Sequence, residues 1–129
     1  MNYVLSFTGA FVLLVSLDFL FLGYIMADYY KKLISPAATI QFNLLPAFLF
    51  YFLYTIGVLY FVVQPNLAAG NTLKVFLIGL FFGFVCYMTY DLTNYATLKD
   101  WPLKLGFVDI AWGSFVTALV SLLAYKILL

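Results

Sequence analysis

Four long apolar stretches, separated by short polar segments, restrict this chain to a single kind of fold. A helix that crosses a bilayer needs about 20 consecutive apolar residues, because the hydrocarbon core is about 30 Å thick. Helices also satisfy every backbone polar group within the segment, as lipid requires. The sequence therefore predicts an all-α, polytopic integral membrane protein that forms a bundle of four transmembrane helices. Their expected positions are about residues 3–26, 42–64, 72–95 and 105–128.

The composition excludes an ordinary water-soluble domain. Hydrophobic residues make up 67% of the 129 residues and charged residues only 9%, whereas soluble domains carry about 25% charged residues. We therefore expect one transmembrane domain over residues 1–129, surrounded by membrane lipid. The formal charge is +1 and basic clusters are absent, so no nucleic-acid partner is expected. With no His and the single Cys86, neither a metal site nor a cofactor is predicted.

The lysines predict how the helices are oriented in the membrane. Four spans place both termini on one side, and the first and third loops on the other. Lysines favour the cytoplasmic side, so we expect loops one and three inside and both termini outside. The loops carry Lys31, Lys32, Lys99 and Lys104, against Lys74 and Lys126 on the opposite side.

Three aspartates lie within the apolar segments, toward the side of loops one and three: Asp18, Asp91 and Asp109. An ionisable group in hydrocarbon is costly, so its presence is a functional-site hypothesis by default. Asp18 is the deepest, about 12 Å from the end of its predicted helix at 1.5 Å per residue. The chain has no Arg or His to neutralise these carboxyl groups. They are the candidate catalytic residues, although the sequence leaves open whether the protein is an enzyme.

Further polar and aromatic side chains lie near the same depth and extend the predicted ligand-binding site. Structural roles remain as alternatives for two of the aspartates. Asp109 could favour the start of its helix through the helix dipole, and Asp91 with Asn94 could join neighbouring helices. A structural role is hardest to argue for Asp18, which lies about two turns deep. The predicted ligand-binding residues are Asp18, Asn43, Tyr90, Asp91, Asn94, Asp109 and Trp112.

Small residues on the third and fourth segments indicate close helix packing. Gly79 and Gly83 form a GxxxG step, and Cys86, Tyr87, Tyr90 and Asn94 continue that face of the predicted helix. Small residues let two helix backbones approach each other. The contact could lie within one chain or between the two chains of a homodimer. A similar seam on the fourth segment consists of Gly106, Gly113, Thr117, Ser121 and Ala124.

Four short runs resemble the signature of a membrane-protein family called domain of unknown function 2177. They are residues 18–23 (DFLFLG), 90–98 (YDLTNYATL), 101–102 (WP) and 109–113 (DIAWG), and they contain all three aspartates. The resemblance extends over essentially the whole chain, although members typically have Trp where this chain has Phe21. It implies a small, multi-pass protein of the bacterial inner membrane with four helices, and both termini would then be periplasmic. It implies no activity.

Three classes of function fit these features. The first is binding, with modification as a further step, of a lipid-like or hydrophobic small molecule in a pocket between helices. The second is a small proton-coupled transporter that works as a dimer, and the third is a structural or regulatory partner of another membrane protein. A cavity at Asp18 would favour the first class, whereas a filled, dry helix interface there would count against it.

Overall fold

The computed structural model describes residues 2–25 and 43–129, which form four helices and the turns between the last three. Every one of these helices is long and apolar enough to cross a membrane, which confirms the predicted four-helix transmembrane bundle. Helix α1 is Tyr3–Leu20 and continues as a π-helical turn over Phe21–Ile25. Helix α2 is Leu44–Val58, continues through Leu59–Val63 and ends in a 3-10 turn at Gln64–Asn66; α3 is Thr72–Thr97 and α4 is Leu103–Leu128.

Helices α3 and α4 extend two residues closer to each other than the hydropathy pattern predicts. The α3 backbone ends at Thr97, and the N–H of Leu98 still donates to Asn94 O at 2.8 Å. Asp100 then takes a positive φ of 65° and reverses the chain before Pro102. The end of the bundle that carries this turn, residues 98–102, is called the Trp101 end below. The predicted first loop, residues 28–41, lies outside the described residues.

Helix α4 is the central element of the bundle. Half of its apolar segment is buried, against 28% for α1 and for α2 and 17% for α3. It packs mainly against α3 and α1. Near its C-terminal end, the Ser6 hydroxyl of α1 donates to Ala124 O of α4 at 2.9 Å.

The GxxxG step of α3 packs within the chain, against the small residues of α4. A β-carbon on Gly79 would lie 2.7 Å from Ser121 Oγ, and one on Gly83 would lie 2.5 Å from Gly113 O. Such distances show that the two backbones touch with no room for a side chain. The predicted seams of α3 and α4 therefore meet each other, and the GxxxG face is occupied without a second copy of the chain.

Helices α2 and α3 diverge from each other toward the Trp101 end of the bundle. Its backbone approaches α3 mainly through the Leu59–Val63 segment. Closer to the Trp101 end the two helices contact each other through long side chains, such as the rings of Tyr54 and Tyr87, whose centroids are 6.2 Å apart. On its other side α2 packs against α1, where Phe52 lies edge-on to Phe7 at 5.2 Å. A gap between α2 and α3 results.

The start of α3 gives a direct test of local helix stability. The Asn71 side chain accepts the backbone N–H of Lys74 at 3.1 Å, which satisfies a donor that the helix itself leaves unpaired. We expect Asn71→Ala to lower the free energy of unfolding by about 0.5–2 kcal/mol. Asn43 occupies the same position at the start of α2 but makes no capping hydrogen bond, so Asn43→Ala should change the free energy by less than about 0.5 kcal/mol. Equal losses in detergent unfolding, followed by circular dichroism, would contradict the capping role.

Candidate functional site

A cavity of about 470 Å³ lies between the helices at the Trp101 end. Its volume falls within the range of about 300–1,000 Å³ that is usual for small-molecule sites. All four helices and the α3–α4 turn contribute to its wall, and the three aspartates predicted from the sequence all line it. The lining residues are Asp18, Leu22, Phe50, Tyr54, Cys86, Tyr87, Tyr90, Asp91, Trp101, Leu105 and Asp109.

Asp18 joins three helices through its carboxyl group. It ends a buried row of α1 that takes every fourth residue, Ser6, Ala10, Leu14 and Asp18, so the side chain faces the interior. The Tyr51 hydroxyl of α2 donates to Asp18 Oδ2 at 2.5 Å, and Trp112 Nε1 of α4 donates to Oδ1 at 2.9 Å. Both carboxyl oxygens therefore accept a hydrogen bond from another helix.

Trp112 supports Asp18 rather than lining the cavity. Its ring stacks on Phe21 with the centroids 4.2 Å apart and an interplanar angle of 4°. This stacking fixes the plane of the indole and so the direction of its N–H. The ring of Phe21 is sufficient for this contact, so the indole that is typical at this position is not needed for the stacking. Trp112, one of the predicted ligand-binding residues, therefore contacts Asp18 and does not line the cavity itself.

Asp91 and Asp109 are neighbours and form a carboxyl pair that lines the same cavity as Asp18. Asp91 is only 2% exposed and packs against Gly106, where a β-carbon would lie 3.6 Å from Asp91 Cβ. The Asp109 side chain is within hydrogen-bonding reach of Asp91. A hydrogen bond between two carboxyl groups needs a proton on one of them, since an ionised carboxylate only accepts. The pair therefore holds one exchangeable proton when this bond forms.

Three buried polar atoms of the cavity wall have no hydrogen-bond partner among the described residues. They are Asp91 Oδ2, Tyr87 Oη and Trp101 Nε1. Buried side-chain polar atoms are normally paired, and each exception needs an explanation. The remaining unpaired atom, Tyr125 Oη, belongs to a residue that does not line the cavity. Unmet hydrogen bonds are therefore concentrated where the cavity lies.

Of the three other predicted ligand-binding residues, Tyr90, Asn94 and Asn43, one lines the cavity. Tyr90 lines the cavity but is 57% exposed, and its ring lies edge-on to Trp101 at 5.9 Å. Asn94 does not line the cavity. Asn43 is exposed and lies outside the wall, because it is seven residues before the lining residue Phe50, or about 10 Å along the helix.

Five aromatic residues of the site are absent from the predicted ligand-binding residues: Phe50, Tyr51, Tyr54, Tyr87 and Trp101. A signal exists for two of them, since Tyr51, Tyr54 and Thr55 are spaced to share one face of an otherwise apolar helix. Tyr54 is held by its hydroxyl, 2.6 Å from Thr117 Oγ1.

The wall offers no obvious set of metal ligands. Within residues 2–25 and 43–129, no three His, Cys, Asp or Glu side chains are arranged to hold one metal ion. Cys86 lines the cavity as a half-buried thiol. The polar chemistry of this wall therefore comes from carboxyl, phenol, indole and thiol groups.

Four apolar helices around a cavity with three carboxyl groups define a small multi-pass membrane protein with an acidic, aromatic-walled site. The chain belongs to the family described as predicted membrane protein DUF2177, whose family model matches residues 3–126. No curated protein and no solved structure matches it.

Proposed function

We propose that this protein binds a lipid-like or other hydrophobic small molecule, with the polar end of that molecule among the three aspartates. The observation that carries the proposal is the cavity that Asp18, Asp91 and Asp109 share. Asp18 would otherwise be explained as a contact within a filled helix interface. Instead, a cavity of about 470 Å³ adjoins it.

The wall suits an amphiphile because apolar and polar groups are both present. Rings and aliphatic side chains supply most of the lining, and the carboxyl groups supply the polar end. Two lining residues on either side of the gap between α2 and α3, Phe50 and Tyr90, are 45% and 57% exposed. We therefore propose that the molecule reaches the cavity sideways from the bilayer, between these two helices.

The proposal includes an orientation in the membrane. Lys99 and Lys104 lie at the Trp101 end and are exposed. If positive residues mark the cytoplasmic side, the cavity lies in the cytoplasmic leaflet of a bacterial inner membrane and both termini are periplasmic. Attachment of an accessible tag at either terminus, probed in sealed spheroplasts, tests this orientation.

Chemical modification of the bound molecule would use the Asp91–Asp109 pair. Two neighbouring carboxyl groups can divide into an acid and a base when their environments differ. Asp18 is engaged on both oxygens by Tyr51 and Trp112, which suits a role in orientation. A proton shared between these two carboxyl groups would be available for transfer to the bound molecule.

Photolabelling tests whether the cavity is occupied. The probe is a hexadecanol that carries a diazirine in its alkyl chain, incorporated into nanodiscs with the protein. We expect labelled positions on the cavity-facing parts of α2 and α3, mapped by peptide mass spectrometry.

A matched pair of variants gives the control for this experiment. Cys86→Phe fills the cavity from its wall, whereas Val85→Phe adds the same ring at the neighbouring residue, which is 38% exposed and does not line the cavity. Labelling should fall in Cys86→Phe and persist in Val85→Phe. Equal labelling of all lipid-facing positions, unchanged by Cys86→Phe, would contradict the proposed function.

A further inference from the structure

We propose that the cavity selects molecules whose polar end is a protonated amine, so that the ligand class is a lipophilic amine. This inference rests on the proposed function, because it names the head group of the molecule bound in the same cavity. It follows from the charges of the wall, from one unpaired acceptor and from the aromatic side chains around it.

Within residues 2–25 and 43–129, the cavity wall carries acidic groups and no basic ones. Three of its residues are aspartates, and none of the described lining residues is a lysine. Lys99 and Lys104, the described lysines at this end of the bundle, are exposed and do not line the cavity. A buried carboxyl group is most stable as a carboxylate when it is paired or well hydrogen-bonded. A cationic head group would supply a pairing charge for such a wall.

The contacts of Asp18 bring no positive charge to the cavity. Its two partners, the Tyr51 hydroxyl and the Trp112 indole N–H, are neutral donors. An anionic head group, such as a carboxylate or a phosphate, would place its acceptor oxygens beside a carboxyl group whose two contacts are uncharged.

Asp91 supplies an acceptor that lacks a donor. The residue is only 2% exposed, and its Oδ2 has no partner among the described residues. A protonated amine has up to three N–H donors and no acceptor. Its N–H groups can pair with several carboxyl oxygens at once, which a single hydroxyl donor or an ester cannot do. The unpaired Trp101 N–H needs an acceptor and is not satisfied by the amine.

Aromatic rings surround the same space. Tyr54, Tyr87, Tyr90 and Trp101 all line the cavity. The face of an aromatic ring attracts a cation within about 6 Å of its centre, and the attraction grows when water is excluded. The rings can therefore hold both the alkyl part of the ligand and the cationic head group.

Competition among three head groups on one alkyl chain tests the inference. Hexadecylamine, hexadecanol and hexadecanoic acid are added to displace the photoreactive hexadecanol at pH 7. The nanodiscs consist of phosphatidylcholine, so that lipid charge does not favour the amine. We expect the amine to displace the probe at a concentration about tenfold or more below that of the alcohol, the usual gain of a hydrogen bond to a charged group. The acid should be the weakest competitor.

Two aspartate variants show whether the preference arises in the cavity. Asp91→Asn should reduce the tenfold difference between amine and alcohol to about twofold or less, because a neutral amide replaces the carboxyl group whose unpaired oxygen accepts from the amine. Asp100→Asn is the matched control: Asp100 is exposed, does not line the cavity and has a positive φ that Asn tolerates. It should keep the full preference.

The outcomes separate the two proposals. Labelling within the cavity with equal competition by amine and alcohol would overturn the amine inference and leave the proposed function intact. An absence of cavity labelling by any of these molecules would overturn the proposed function itself. If Asp91→Asn does not fold, the comparison of head groups on the unaltered protein still decides the inference.

Discussion

Replacing Gly83 with alanine is expected to lower the free energy of unfolding by about 1–3 kcal/mol, the usual cost of forcing an extra carbon into a packed core. The added β-carbon would lie 2.5 Å from Gly113 O and 2.6 Å from Thr117 Oγ1. Neither atom can move away easily, because the first is backbone and the second donates to Gly113 O at 2.6 Å. Helix propensity favours alanine over glycine by about 1 kcal/mol. The clash exceeds this gain because α3 and α4 must separate to relieve it.

Gly57→Ala is the control for this measurement. Gly57 lies in α2, and a β-carbon there would meet only Phe82 Cζ, at an ordinary 3.7 Å. This variant should be unchanged or more stable, by up to about 1 kcal/mol. Unfolding of both variants by sodium dodecyl sulfate in mixed micelles, followed by circular dichroism, gives the comparison. A Gly83→Ala protein as stable as Gly57→Ala would show that α3 and α4 do not touch as described.

The Asp18→Ala variant is expected to be destabilised through its two partners rather than through its own charge. Alanine would leave the Tyr51 hydroxyl and the Trp112 N–H without their acceptor, and each buried donor left unpaired costs about 1–3 kcal/mol. A combined loss of about 2–6 kcal/mol follows. The same micelle unfolding measures it, and Asp100→Asn should change the free energy by less than about 0.5 kcal/mol.

A double-mutant cycle identifies the cause of this loss. Tyr51→Phe alone should cost about 1 kcal/mol, because it removes a hydrogen bond to a buried carboxyl group. In the Asp18→Ala background the same change should cost nothing, since the hydroxyl has already lost its acceptor. The two residues are in contact, so non-additive losses of free energy are the expected sign of a direct interaction. Additive losses would show that Tyr51 and Asp18 act independently.

Rows of every fourth residue explain why two aspartates meet at one cavity. On α3 the buried residues Gly79 and Gly83 are followed at the same spacing by Tyr87 and Asp91. On α1 the corresponding row ends at Asp18. Both helices pack mainly on α4, and the ends of the two rows line the same cavity. The spacing can be read from the sequence, but several helical faces compete, and Tyr90 was placed on the packed face although it is 57% exposed.

Partners of the carboxyl groups could not be predicted in the same way. Tyr51 and Trp112 lie on α2 and α4, and their distance from Asp18 depends on how these helices are rotated and tilted relative to α1. In apolar helices of this kind, most residues on every face are hydrophobic, so the hydropathy pattern does not indicate which face is buried. Asn43 shows the converse: its polarity and position suggested a place in the site, but it lies beyond the cavity wall.

The sequence by itself determined the number and length of the helices and the depth of the three aspartates, because both depend on local hydropathy and on the fixed rise of a helix. It also indicated the close contact of α3 with α4 through their small residues. Only the tertiary structure decided that the carboxyl groups share one cavity. That outcome depends on glycine contacts drawing α3 onto α4 while α2 packs against α1 and leaves a gap. Relative rotation and tilt are properties of the assembled bundle, and no single segment encodes them.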